Sequence, residues 1–307
     1  MSSNASTTSH AIKPHLALIA VQVMFCSNFI VGKIVLRSIS SLSLGGIRIC
    51  GAAIIFTIMQ RNVSGLWKLP KRVIAWLLLS GLLGIVINQL LFIKGLSLTT
   101  AINATLLSTT IPVFALAASI ALGHERKQFR HLVGIVLAVL GVVYLVDPAR
   151  ASFSAETTLG NILCAISSLF YGAYIAVSRN LVRRYGALRV TTWIFQLSAI
   201  VTLPIAVYSW SGAGLESIAG ETWMAIGYIV LVPTVIAYYL NALALGLVPP
   251  SVVAIYIYMQ PLLAFGIAPL VLGEKWNSRT IVASALIFAG VGVVTIGRRR
   301  NSTLPAA

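Results

Sequence analysis

The sequence predicts an all-α integral membrane protein with ten transmembrane helices, arranged as two inverted five-helix repeats around a central cavity. Three observations lead there. Of the 307 residues, 58% are hydrophobic and only 9% are charged, with a mean hydropathy of +0.95, which lies outside the soluble class. The apolar residues gather in stretches of roughly the ~20 residues that carry a helix across the ~30 Å hydrocarbon core. The second half of the chain also repeats the pattern of the first.

The apolar stretches run 15–36, 43–60, 73–93, 99–122, 130–147, 158–179, 189–210, 222–243, 251–273 and 279–297. Turn and charge signals separate them, including Pro70 in 61–72 and Pro148 in 147–156, and no interval is long enough for a soluble domain. The first fifteen residues are polar, with no short apolar region before a small-residue cleavage site, so the first span is expected to remain in the mature protein. Cys26, Cys50 and Cys164 lie inside apolar stretches, at spacings that suit neither zinc nor a disulfide framework, and read as small apolar fillers.

The net charge of +16 comes from 22 Lys and Arg against 6 Asp and Glu. In a soluble protein that would suggest nucleic acid, but here most basic residues flank apolar segments and report orientation instead. With ten spans both termini share a side. Fifteen Lys and Arg then fall on that side and five on the other, with Lys33 and Arg48 left in or at the edge of spans. The excess places both termini in the cytoplasm of a cell-membrane protein.

At an offset of 149, residues 95–146 align without gaps on 244–295, bringing Pro112 onto Pro261, Glu125 onto Glu274, Arg130 onto Arg279 and Gly141 onto Gly290. Nearer the front of each half an offset of 145 serves better, with Phe25 on Phe170 and Leu36 on Leu181. Residues 1–150 and 151–307 thus form two units of five spans. An odd number of spans inverts the second unit relative to the first, as in secondary transporters that expose a midplane site to each side in turn.

The polar residues inside spans mark that site. In the first span Gln22, Cys26, Phe29 and Lys33 share one helical face, and Asn28 adds a further amide. Shifted by 145 the stripe becomes Ser167, Tyr171, Tyr174 and Ser178 of the sixth span, a facing wall of the same cavity. The third span supplies Asn88 and Gln89, and the eighth Tyr238, Tyr239 and Asn241. Amides in hydrocarbon must face protein or water. In the fourth and ninth spans Pro112 and Pro261 are expected to kink the helix, free the Ser108 and Ile257 carbonyls and act as hinges, beside Thr110, Tyr256 and Gln260 as substrate contacts. Each side chain has a plainer reading as well: hydroxyls and amides glue helices together, and Thr110 can bond its own backbone. Lys33 and Arg48 are expected to snorkel to the interface, or else to line an outer vestibule and favour a carboxylate-bearing substrate. Glu125 and Glu274 end their helices as interfacial ion pairs or as gate latches. The fifth and tenth spans carry small residues at Gly134, Ala138 and Gly141, and at Ala285, Ala289 and Gly292, and serve as a buttress or a homodimer contact. Arg298 to Arg300 hold the last span at the anionic inner leaflet.

The runs Gly95 to Ala101, Ile111-Pro112-Val113-Phe114 and Leu122-Gly123-His124-Glu125, with their second copy in Ala244 to Leu247, Gln260-Pro261-Leu262-Leu263 and Leu272-Gly273-Glu274, resemble the drug/metabolite transporter superfamily, specifically its ten-helix EamA repeat group. The likeness covers nearly the whole chain. It implies a basket-shaped bundle around a central cavity and export of amino acids, aromatic ones among them, or related metabolites. His124 departs from the more usual small or apolar residue before that Glu.

The leading expectation is a secondary transporter exporting a small amphipathic metabolite, foremost an amino acid; drugs, sugars and nucleosides are the alternatives within that class. All six acids lie at span ends or in loops, so the buried carboxylate that commonly couples protons or sodium is missing, and facilitated movement is at least as well supported as antiport. A channel or lipid scramblase could use a similar polar groove. An intramembrane enzyme is excluded: no nucleophile with its base, metal motif or carboxylate pair lies at membrane depth, and no cofactor or metal is expected.

Overall fold

The computed structural model describes residues 4–60, 68–123, 155–211, 218–248 and 256–275, with scattered residues of 129–144, Val253 and parts of 278–289. Every regular element among the described residues is helical. In chain order these are α1 (Asn4–Val35), α2 (Ser41–Met59), α3 (Lys71–Gly81), α4 (Asn88–Leu98), α5 (Ala101–Ser108), α6 (Ile111–Ala121), α7 (Ala155–Tyr185), α8 (Ala187–Ser211), α9 (Gly220–Val230), α10 (Ala237–Leu247) and α11 (Met259–Leu272). Wider π-helical segments, Leu82–Ile87 and Leu231–Ile236, join α3 to α4 and α9 to α10 into continuous rods.

Seven of these helices or rods are long and apolar enough to cross a membrane, and they correspond to the first four and the sixth to eighth expected spans. The ninth appears as the shorter Tyr256–Leu272. The fifth and tenth spans, with their small-residue stripes, the expected dimer contact, Glu125 and Arg298 to Arg300, lie largely or wholly outside the described residues.

The bundle exposes large apolar side chains and buries polar ones within an apolar core. Ile58, Met224, Leu262 and Leu270 are exposed, whereas Gln22, Thr105, Asn161 and Gln260 are buried. That inversion of the soluble pattern suits a solvent of lipid tails. Helix ends follow local chemistry. Ser40 Oγ accepts from the Ser43 N–H at 3.1 Å to start α2, and Thr100 Oγ1 accepts from Asn103 N–H at 3.1 Å to start α5. Gly186, at φ 85°, lets α7 turn into α8, and Gly273, at φ 68°, ends α11; both conformations are strained for a residue with a Cβ.

Each of the two prolines follows a change in helical geometry. The fourth span, Ala101–Ala121, is a rod divided into α5 and α6 at Thr109 and Thr110, whose hydroxyls donate to the carbonyls of Leu106 and Leu107, each at 2.6 Å. Pro112 therefore sits in the first turn of α6, where its missing N–H removes no helical bond. Pro261 likewise falls in the first turn of α11, after a 3₁₀ turn at Tyr256–Tyr258.

The largest helix contacts join the two halves. α2 lies along α8, α7 along α4 and α6, and α1 along α10 and α11. Some crossings depend on absent side chains. A Cβ on Gly172 of α7 would stand 2.7 Å from the Ala115 backbone nitrogen and 2.9 Å from the Ile111 carbonyl oxygen, and one on Gly84 would stand 2.3 Å from the Tyr174 ring. The break between α4 and α5 is held from both ends. Lys33 Nζ donates to the carbonyls of Leu96, at 2.8 Å, and Thr99, which closes the C-terminal end of α4. Glu274, beyond α11, accepts from the Ala101 N–H at 2.7 Å and the Ile102 N–H at 3.0 Å at the start of α5. A cation at a helix C-terminus and an anion at an N-terminus each match the local end charge. Snorkelling and ion pairing, the expectations for Lys33 and Glu274, give way here to backbone capping.

Candidate functional site

Where the halves meet, a cavity of about 70 Å³ lies between α1, α2, α4, α7, α10 and α11. A water needs roughly 10–15 Å³ of such space, so it admits a few water-sized groups. The face of α1 that carries Gln22 supplies Gln22, Phe25, Asn28 and Phe29; α4 supplies Asn88, Gln89 and Phe92; α7 supplies Ser167, Ser168 and Tyr171. Tyr238 and Asn241 come from α10, Gln260 from α11, Ser108 from the end of α5 and Arg48 from α2.

Hydrogen bonds across the cavity join the first half to the second, and the second half to itself. Gln260 Nε2 donates to Gln22 Oε1 at 2.6 Å, and Asn88 Nδ2 donates to the Ser167 carbonyl at 2.9 Å. Gln89 Nε2 donates to Tyr238 Oη and Asn241 Nδ2 to Tyr171 Oη, both at 3.4 Å. These longer bonds are the weaker ones. Gln89 Oε1 is buried and has no hydrogen-bond partner among the described residues. Rings pack around the polar groups: Tyr238 is edge-on to Tyr171 at 6.2 Å, to Phe25 at 5.8 Å and to Phe195 at 5.4 Å.

Seven of the ten side chains expected at the cavity line it: Gln22, Asn28, Asn88, Gln89, Tyr171, Tyr238 and Gln260. Three do not. Thr110 is spent on the Leu107 carbonyl. Tyr174 turns its ring over Gly84, with its centroid 5.5 Å from that of Tyr171. Tyr256, in the 3₁₀ turn, pairs its hydroxyl with Nδ1 of the exposed His15 at 2.7 Å. The hinge prolines stay outside the lining.

Of the two places expected for Arg48, the interface and a lining position, the structure departs from the first. Arg48 does not snorkel: it is 4% exposed, lines the cavity, and donates from Nε to Thr234 Oγ1 at 2.6 Å. Thr234 stands in the second π-helical segment and donates in turn to the Ile229 carbonyl, five residues back, at 2.7 Å. No carboxylate pairs with Arg48 among the described residues. A signal that finds it is nevertheless present, since an ionisable residue well inside an apolar span faces protein or a cavity by default.

The model of the EamA-like transporter family matches this chain over residues 12–146 and 158–296. The chain is similar to the uncharacterized transporter YetK of Bacillus subtilis, 23% identical over 95% of this chain and 90% of that one. An uncharacterized transporter of Archaeoglobus fulgidus is 27% identical over 92% and 97% of the two chains. A probable terminal-alkyne amino-acid exporter of Streptantibioticus cattleyicolor is 27% identical over 74% of this chain and 76% of its own. A solved crystal structure superposes with a TM-score of 0.60 at 20% identity, covering 95% of this chain and 99% of the other, which is a likeness of fold.

Proposed function

The chain belongs to the EamA-like transporter family, a multi-pass membrane transporter and not an enzyme, and on that premise we propose that it exports amino acids or similar small metabolites by alternating access. The observation that carries this reading is the cavity at the meeting of the two halves, walled by amides and tyrosines, with hydrogen bonds that cross from one half to the other. A site so placed opens to one side or the other when the halves rock. The amino-acid exporter among the relatives supports the substrate class, and the small volume favours a small ligand.

The cycle needs two five-helix repeats of opposite orientation, with boundaries near residue 150. Their support is positional. The π-helical segments Leu82–Ile87 and Leu231–Ile236 stand 149 residues apart, the offset at which the halves align. α7 packs on α4 and α6 as its counterpart α1 packs on α10 and α11, while the counterparts α2 and α8 pack on each other. Both termini lie on the cytoplasmic side of the cell membrane, on the strength of the Lys and Arg distribution.

The test is counterflow in proteoliposomes with labelled neutral amino acids, small and aromatic, with and without a pH gradient. Saturable counterflow of one of them supports a carrier. Flux without saturation points to a channel, and no flux for any member removes amino acids as substrates.

A further inference from the structure

Among the described residues the cavity lining holds one cation, Arg48, and one fully buried acceptor without a partner, Gln89 Oε1, and the two together select a ligand. Arg48 has a single hydrogen bond among the described residues, from Nε to Thr234. The Thr234 hydroxyl accepts from Arg48 and gives its one proton to Ile229, so it has none to offer a ligand. The tether occupies the Nε corner of the guanidinium and leaves the two terminal amino groups, the fork that receives a carboxylate through two parallel bonds. A buried guanidinium without an anion is costly, and a ligand bringing one relieves that cost. Gln89 gives its Nε2 to Tyr238 and keeps Oε1 buried and unpartnered among the described residues, a cost that an N–H donor would relieve.

We propose that the ligand is a zwitterion, its carboxylate received by Arg48 and its ammonium donating to Gln89 Oε1. The proposal rests on the amino-acid reading above and deepens it by fixing the charge pattern. A cationic drug meets a like charge at Arg48. A sugar leaves the guanidinium without an anion. Arg48 thus acts as a specificity residue, and a site built around a buried charge rejects the analogue that lacks the complementary group more strongly than an apolar pocket rejects a missing methylene.

The experiment is competition against labelled alanine counterflow by the full chain in proteoliposomes, with alanine, alaninamide and propionate as competitors. Thermal melting of the detergent-solubilised protein with each compound runs beside it. In the wild type, alaninamide, which lacks the carboxylate, is expected to compete roughly ten- to hundredfold more weakly than alanine. Arg48→Gln should erase that difference while melting no lower than wild type, because it removes an unpaired buried charge. Gln89→Leu should weaken alanine and spare propionate.

Equal competition by acid and amide in the wild type, or an unchanged preference in folded Arg48→Gln, overturns the proposal while the amino-acid reading stands. If alanine is not carried but propionate stabilises the wild type and not Arg48→Gln, the amino-acid reading falls and the anion site remains. If nothing in the panel is carried or stabilises the protein, both fall. Thr234→Val covers the case in which Arg48→Gln does not fold: it keeps the guanidinium, removes its tether and should narrow the gap between acid and amide. An undiminished gap in that variant counts against the proposal.

Discussion

Gln89 and Tyr238 stand 149 residues apart, the offset at which one half of the sequence aligns on the other, and they hydrogen-bond to each other across the cavity at 3.4 Å. In a two-fold arrangement, a contact between counterparts can form only near the axis. Tyr238→Phe removes the acceptor and leaves the ring packing with Phe25 and Phe195 in place. Such bonds average about 0.6 kcal/mol in membrane proteins. A double-mutant cycle of Tyr238→Phe with Gln89→Leu, read by equilibrium unfolding in mixed micelles, should return a coupling of that order. A coupling of zero would mean that the pair only lines the cavity.

Gln22 and Gln260 are both buried, so losing either amide strands the other. Gln22→Leu or Gln260→Leu alone should cost about 1–3 kcal/mol, the penalty of an unsatisfied buried group. The double substitution should recover most of that stability, because neither amide is then left over. Transport should fall in all three variants. Additive destabilisation in the double mutant would show that the 2.6 Å bond does not couple them.

Gly172 and Gly266 make a matched pair of tests. Gly172→Ala drives a methyl into the backbone of α6 and is expected to destabilise the protein by about 1–3 kcal/mol. A methyl on Gly266 of α11 would meet no described residue within 4 Å, so Gly266→Ala should raise stability by roughly 0.5–1 kcal/mol through helix propensity. Thermal melting in one detergent ranks the two, and the reverse order would rule out the close α6–α7 crossing.

Glu274→Ala strips the acceptor from the first two amides of α5. The loss expected for an N-terminal cap is about 1 kcal/mol. Hydrogen exchange should quicken locally at residues 101–104, and Lys33→Met should loosen the end of α4 without affecting those amides. Unchanged exchange in Glu274→Ala would remove the capping role.

How much is legible in the sequence varies with the kind of signal. Seven spans and seven of the ten expected cavity side chains emerge from hydropathy and from stripes such as Gln22 and Phe29, because a helix period and a cost of burial act residue by residue. Thr110, which takes its plainer reading and bonds its own backbone, and Tyr256 leave the lining for one cause. An ideal continuous helix aims both at the cavity, whereas the chain breaks at Thr109–Thr110 and tightens to 3₁₀ at Tyr256–Tyr258, which re-aims the side chains. For Arg48, position along the span is the only cue that the sequence offers to depth. Its partner lies 186 residues away in a π-helical turn that no local pattern announces.

The pairing of α1 with α10 and α11, and of α4 with α7, sets an order of events during synthesis. When the first half leaves the ribosome and enters the bilayer, Gln22 and Asn88 meet no partner, since Gln260 and Ser167 have yet to be made. The nascent bundle must wait beside the insertion machinery or in a loosely associated form with those amides hydrated or shielded, and it closes only after α11 arrives. A chain cut between the halves should therefore survive only when both pieces are produced in the same cell.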